Sequence, residues 1–209
     1  SDELMVELLT RWSLVFYYKG NYKKIEELLA SHEPKIENIH DGEKKGMFYA
    51  WQGNFLYFRG KLGKSREILK KAEQIGLGCG SNKVVGYACA WRSFVSCEFG
   101  CFKEGVEEGN RAHEIAKAMK KDQYLFFKSL GGYGYNMFRI GHVSSGIDIG
   151  DKLINFGEQY SQVRSLVFGY FIKGCAYYNS GDFIKAASLI EKALSISADP
   201  FYSFFPRII

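Results

Sequence analysis

Only 3 prolines occur in 209 residues. Proline removes an amide donor and clashes with the preceding turn, so its scarcity leaves room for long uninterrupted helices. No apolar run reaches the roughly 18 residues that a membrane-spanning helix needs, and no membrane partner is expected. The opening Ser1-Asp2-Glu3 is acidic and leads directly into a helical pattern, so no signal peptide is expected. The 5 cysteines, Cys79, Cys89, Cys97, Cys101 and Cys175, are odd in number, and no pair has zinc-site spacing. Cys97 and Cys101 are four apart but straddle Gly100, a predicted helix break. Reduced thiols in a cytoplasmic protein are the expectation, with redox sensing as the alternative.

Catalytic patterns are missing too. His32, His40, His113 and His142 have no metal-ligand spacing, and no two carboxylates pair as a general acid and base would. No nucleophile elbow surrounds any serine. The segment "GLGCGSNK", Gly76 to Lys83, lacks the spacing of a phosphate loop and follows a helix instead of a strand, so it reads as a connector. No enzyme activity, metal or cofactor is therefore expected of this chain. The formal net charge of +5 is too small for a nucleic-acid-binding signature, so no direct nucleic-acid partner is expected. Lysines in "KLGKSREILKK" and "AKAMKKD" fall on helix surfaces and ends, where cations complement the helix dipole. A phosphate-binding stripe is the alternative.

Against these absences stands a repeat. Gly20, Gly60, Gly100, Gly141 and Gly181 are spaced 40, 40, 41 and 40 residues apart. A fixed period of about 20–50 residues marks a solenoid. Seven residues before each glycine lies a small residue: Ser13, Gly53, Ser93, Gly134, Gly174. Two residues after it lies an apolar one: Tyr22, Leu62, Phe102, Val143, Phe183. The pattern describes two antiparallel helices joined at the glycine, which supplies a left-handed turn at little steric cost. First helices are predicted at about 3–19, 43–59, 83–99, 123–140 and 162–180, and second helices at about 21–32, 62–75, 102–121, 143–158 and 182–197. "HEPKIENIHDGEKKG" and "IGLGCGSNK" are expected to be longer connectors.

The last copy, with Gly174, Gly181-Asp182-Phe183, Ala186 and Ala193, resembles the tetratricopeptide repeat (TPR) family, and Pro200 stands near its terminal proline. The period departs from that family's usual 34 residues or so. Units near 40 with a glycine inside the second helix ("EEGNRA", "DIGDKL") look more like the long TPR-like arrays of bacterial signalling proteins. The resemblance implies an all-α, right-handed α-solenoid of about five antiparallel helix pairs. It would form a single domain over 1–209, with repeats at about 3–42, 43–82, 83–122, 123–161 and 162–200. Residues 201–209 would begin a truncated sixth repeat of a longer protein. Phe201, Phe204, Phe205 and Ile208 would then be exposed, and a homodimer through that end is expected.

In such arrays the first helices line a concave groove. Carrying over the family's contact positions, six, three and two residues before each turn glycine, gives Leu14, Tyr17, Tyr18, Asn54, Tyr57, Phe58, Phe94, Cys97, Glu98, Tyr135, Phe138, Arg139, Cys175, Tyr178 and Asn179. Tyr and Phe offer large contact areas at low entropy cost, and roughly half of these rings are expected to pack in the core instead. Tyr17, Cys97 and Phe138 stand where a chaperone-binding carboxylate clamp would need polar grips, so chaperone binding is not expected. The implied function is non-catalytic binding of a protein or peptide partner. The alternative is a ligand-sensing segment of a class III nucleotide cyclase or a MalT/LuxR-type transcription regulator.

Overall fold

A computed structural model describes residues 2–196. Ser1, residues 197–209 and the side chains of Asp2 and Tyr18 lie outside the described residues. Pro200, the expected start of a sixth repeat and the self-association patch at Phe201, Phe204, Phe205 and Ile208 therefore lie outside them as well. Eleven helices are described: α1 (Asp2–Tyr18), α2 (Tyr22–Ala30), α3 (Glu33–Ile36), α4 (Gly42–Phe58), α5 (Leu62–Cys79), α6 (Asn82–Glu98), α7 (Phe102–Met119), α8 (Gln123–Arg139), α9 (Val143–Tyr160), α10 (Val163–Asn179) and α11 (Phe183–Ile196). Apart from the short α3, they form five antiparallel pairs, the expected all-α solenoid.

Each pair turns in the same way. All five phase-marking glycines have positive φ, from 68° at Gly20 to 83° at Gly181. At Gly60 the amide bonds back to the Tyr57 carbonyl at 2.9 Å, and the Lys61 amide to Leu56 at 2.9 Å. The same two bonds recur at Gly20, Gly100, Gly141 and Gly181. This is a Schellman closure, which satisfies the last carbonyls of the first helix. Helix starts are also capped: the Asn21, Asp41, Asp122 and Asp182 side chains accept from the amide three residues on.

One connector is shorter than the sequence suggests. Helix α5 continues through Gly76 and Gly78 to Cys79, so "IGLGCGSNK" is mostly helix. Gly80, with φ of 71°, ends it, and Ser81 caps α6. Gly76 is there for packing: a Cβ would meet Val84 at 2.9 Å. The other long connector holds α3, which carries Pro34 in its first turn, where the missing amide costs nothing.

Small residues let helices cross closely. Gly150 of α9 and Gly169 of α10 meet backbone to backbone, with a Cβ at Gly169 falling 2.8 Å from the Gly150 carbonyl oxygen. Buried serine hydroxyls bond across helices to main-chain carbonyls: Ser65 to Gly53 at 2.6 Å, Ser93 to Gly105 at 2.7 Å, Ser165 to Leu153 at 2.7 Å. Each satisfies a polar group that burial would otherwise penalise. A buried ion-pair network adds to the α5–α6–α7 junction. Arg92 bridges Glu73 and Glu108, and Arg111 also holds Glu73. Burial alone would raise the Glu73 carboxyl, but Arg92 and Arg111 hold it below its usual range. At Glu108 burial wins over Arg92 and the shift is upward.

Candidate binding face

Successive first helices touch, α4 on α6, α6 on α8 and α8 on α10, whereas no comparable contact joins successive second helices among the described residues. A stack whose first helices crowd together while its second helices spread apart must curve with the first helices inside. The inner side is therefore the row α1, α4, α6, α8, α10.

Aromatic rings run along that row. Tyr17 meets Trp51, Phe55 and Phe58 at 5.4–6.3 Å. Tyr57 meets Trp91 and Phe94, and its hydroxyl donates to Glu98 at 3.2 Å. Phe94 meets Tyr135 and Phe168, and Tyr135 meets Phe138 and Phe171. The Lys128 ammonium, almost fully buried, lies 4.7 Å from the Trp91 ring centroid and 5.3 Å from that of Phe127. Burial pushes the Tyr57 and Tyr135 hydroxyls well above their usual range and the Cys97 and Cys175 thiols to about 12. A thiol so protonated is a poor nucleophile, which argues against redox sensing at Cys97.

The structure thus sorts the expected groove residues. Tyr17, Asn54, Tyr57, Phe94, Tyr135 and Phe138 are buried; they pack between repeats because each first helix is enclosed by its neighbours. Leu14 and Phe58 are half-buried, and the Tyr18 side chain lies outside the described residues. Arg139, Tyr178 and Asn179 are exposed, at the C-terminal ends of α8 and α10. Arg139 lies over the Tyr135 and Phe138 rings at 5.4 Å, and the Asn179 amide donates to the Phe138 carbonyl at 2.7 Å.

A cleft of about 370 Å³ opens near the other end of the row, between α1, α4 and the starts of α6 and α8. Leu14, Met47, Trp51 and Tyr87 form its apolar floor, and Glu7, Arg11, Lys44 and Lys83 ring it. Tyr87 stacks on Tyr124 at 5.8 Å, and its hydroxyl donates to Asp122 at 3.1 Å. Sequence reasoning missed Met47, Trp51 and Tyr87 because it counted only back from the turn glycine, within the last two helical turns. The same face continues one and two turns earlier. A second cleft, of about 550 Å³, lies between the ends of α7 and α9, where Lys117, Lys120 and Lys121 flank Phe126 and Phe156. Among the described residues no group of three or more His, Cys, Asp or Glu is placed to hold a metal ion, and no helix is long and apolar enough to cross a membrane.

No family model and no curated protein matches the sequence. Solved structures do match the fold. BtubC (BKLC) from P. vanneervenii aligns at a TM-score of 0.73 and 15% identity, over 93% of this chain and 80% of that one. A Signal Transduction ATPase with Numerous Domains (STAND) protein with a tetratricopeptide repeat sensor, from Pyrococcus horikoshii, aligns at 0.69 and 18%, over 96% of this chain and 30% of that one. YrrB, a TPR protein with an unusual peptide-binding site, aligns at 0.52 and 13%, over 96% and 91%. By fold, the chain is a TPR-like helical repeat protein. The expected right-handed α-solenoid is the architecture observed. In this TPR-like solenoid the period of about 40 residues is accommodated by first helices of 17 residues and second helices of up to 18.

Proposed function

We propose that this TPR-like solenoid is a non-catalytic interaction module that binds a protein or peptide partner on its inner face. The observation that carries this reading is the cleft floored by Leu14, Met47, Trp51 and Tyr87 and ringed by charges of both signs. An apolar floor with a few convergent polar groups is the ordinary form of a recognition site. The exposed edge at Arg139, Tyr178 and Asn179 extends it along the same row of helices. Such a surface offers anchors for apolar side chains and charge partners for a peptide backbone or carboxylate. A second reading, a ligand-sensing segment of a larger bacterial signalling protein, is favoured by the likeness to a STAND protein with a TPR sensor.

The test is a displayed peptide library selected on the chain, with affinities of the selected peptides measured by fluorescence. Met47→Glu probes the cleft, and Arg139→Ala with Tyr178→Ala probes the edge. Both sites are at least partly exposed, so the helical content of each variant should be unchanged. A loss of tenfold or more in one of the two, about 1.4 kcal/mol, is expected. Full affinity in both would refute binding on this face. Tyr57→Ala is a poor probe, since Tyr57 is buried and its truncation reports on folding.

A further inference from the structure

The cleft between the ends of α7 and α9 departs from the repeat. Lys117, Lys120 and Lys121 stand on its α7 side. Counted from the turn glycines, the place of Lys117 is held in the first, second and fourth copies by Glu37, Leu77 and Glu158. The place of Lys120 is held there by His40, Gly80 and Ser161, and that of Lys121 by Asp41, Ser81 and Gln162. A need of the scaffold would recur with the scaffold; these cations do not. The connector is irregular as well. Two residues join α5 to α6 and α9 to α10, but three, Lys120-Lys121-Asp122, join α7 to α8. The extra residue accounts for the spacing of 41 between Gly100 and Gly141. Lys120 holds a φ of 57° where Gly80 holds 71°, a left-handed conformation that costs lysine more than glycine.

Charge and floor together define what fits. Lys117 pairs with Glu114 at 2.9 Å, whereas among the described residues Lys120 and Lys121 have no ion-pair partner. Asp122, the only carboxylate in the lining, is already engaged: it accepts from the Leu125 amide at 2.9 Å and the Tyr87 hydroxyl at 3.1 Å. The floor is a column of rings. His113 meets Phe126 at 5.0 Å, Phe126 stacks on Phe156 at 4.6 Å, and Phe156 meets Tyr160 at 4.7 Å. Tyr160, the outermost, is 43% exposed. The cleft also lies at a helix end. The Lys120 and Lys121 amides take the Ala116 and Met119 carbonyls at 3.2 and 2.7 Å, so among the described residues no main-chain amide bonds to the Lys117 carbonyl. Helix-end carbonyls need donors and repel anions. A phosphate brings a compact anion with acceptors alone. A peptide brings amide donors together with its side-chain carboxylates.

We propose that this cleft docks an acidic peptide segment of a partner protein. An aromatic or large aliphatic side chain rests on Phe156 and Tyr160, carboxylates face Lys117, Lys120 and Lys121, and main-chain amides meet the end of α7. The site lies between second helices and is separate from the inner face.

The test is a random displayed peptide library, selected on the unaltered chain and counter-selected on Lys120→Glu with Lys121→Glu. The recovered peptides should be acidic and carry at least one aromatic or large aliphatic residue. In fluorescence titrations the double variant should lose roughly tenfold or more in affinity, and Tyr160→Ala should lose affinity as well. Lys64→Glu with Lys70→Glu makes the same change of charge on exposed lysines of α5 and should keep affinity within about twofold. Met47→Glu in the inner-face cleft should do the same, so the two sites are judged separately. Excess ATP or inorganic phosphate should not displace the peptide. The altered lysines and Tyr160 are exposed, so the circular dichroism of the helices should be intact. Recovery of no peptide, or of neutral or basic ones, overturns the proposal. So does an equal loss in the α5 variant, and so does displacement by ATP or phosphate, which would make the cleft a phosphate site.

Discussion

Helices α6 and α1 are both first helices of 17 residues, yet they live in different surroundings. In α6 nearly every side chain from Val84 to Cys97 is buried, while α1 keeps a stripe of four large apolar residues in solvent. The difference is one of neighbours. A first helix in this array touches its own second helix, the second helix before it and the first helices on either side. Its sequence is therefore apolar nearly all round, which in a water-soluble helix is sustainable only when every face is covered. The comparison teaches that stability here is a sum over junctions, and that the middle of the stack holds most of it.

Two tryptophans give the widest test. Trp91 in α6 is 1% exposed and contacts Tyr57, Phe58 and Phe94. Trp12 in α1 is 61% exposed. Trp91→Ala is expected to lower unfolding free energy by about 3–5 kcal/mol through lost burial and the cavity left behind. Trp12→Ala should stay within about 0.5 kcal/mol, measured by urea unfolding at high dilution. Equal losses would break the comparison between middle and end.

Glycines sharpen it at the next level. Gly169 lies against the α9 backbone, and a Cβ there would stand 2.8 Å from the Gly150 oxygen and 2.9 Å from the Ile154 nitrogen. Neither neighbour is a flexible side chain, so Gly169→Ala must push two helices apart, at a cost of about 1–3 kcal/mol. Gly63 in α5 has open space at its Cβ. Gly63→Ala should stabilise by about 0.4–1 kcal/mol, because alanine narrows the unfolded ensemble and favours helix. Thermal or urea unfolding of the two variants should therefore shift in opposite directions.

These glycines also show what could be read without coordinates. The five turn glycines announced themselves by period, because a left-handed turn residue is a local requirement and leaves a local mark. Gly150 showed itself as a glycine inside the second helix ("DIGDKL"), but Gly76 and Gly169 serve crossings between consecutive helices, α5 with α6 and α9 with α10, that the turn period does not mark. The same limit governed the binding face. Arg139 and Asn179 could be placed by counting from the turn, and both reach the surface. Tyr57 and Tyr135 share that register but are enclosed by the next repeat, and burial depends on the curvature of the whole stack. Met47 and Tyr87 became visible only once α1, α4 and the start of α6 were seen to surround one cleft.

The last expected effect is set by acid. His113 lies in α7, its ring 5.0 Å from that of Phe126. Burial, with Lys117 adding to it, lowers its pKa from 6.5 to about 4. The unfolded chain takes up a proton near pH 6.5, but the folded one resists until about pH 4. Stability is therefore complete above the unfolded value and lost as pH falls through that window. The ring is partly exposed, and solvent screening limits the loss to about 1–2 kcal/mol. His113→Leu should remove this slope between pH 6.5 and 4 in urea unfolding. An unchanged slope would place the acid sensitivity elsewhere. A reduced one would add His113 to the residues that tie the middle of the stack together, since it sits at the α7–α8 junction, in the register place that Glu73 holds at α5–α6.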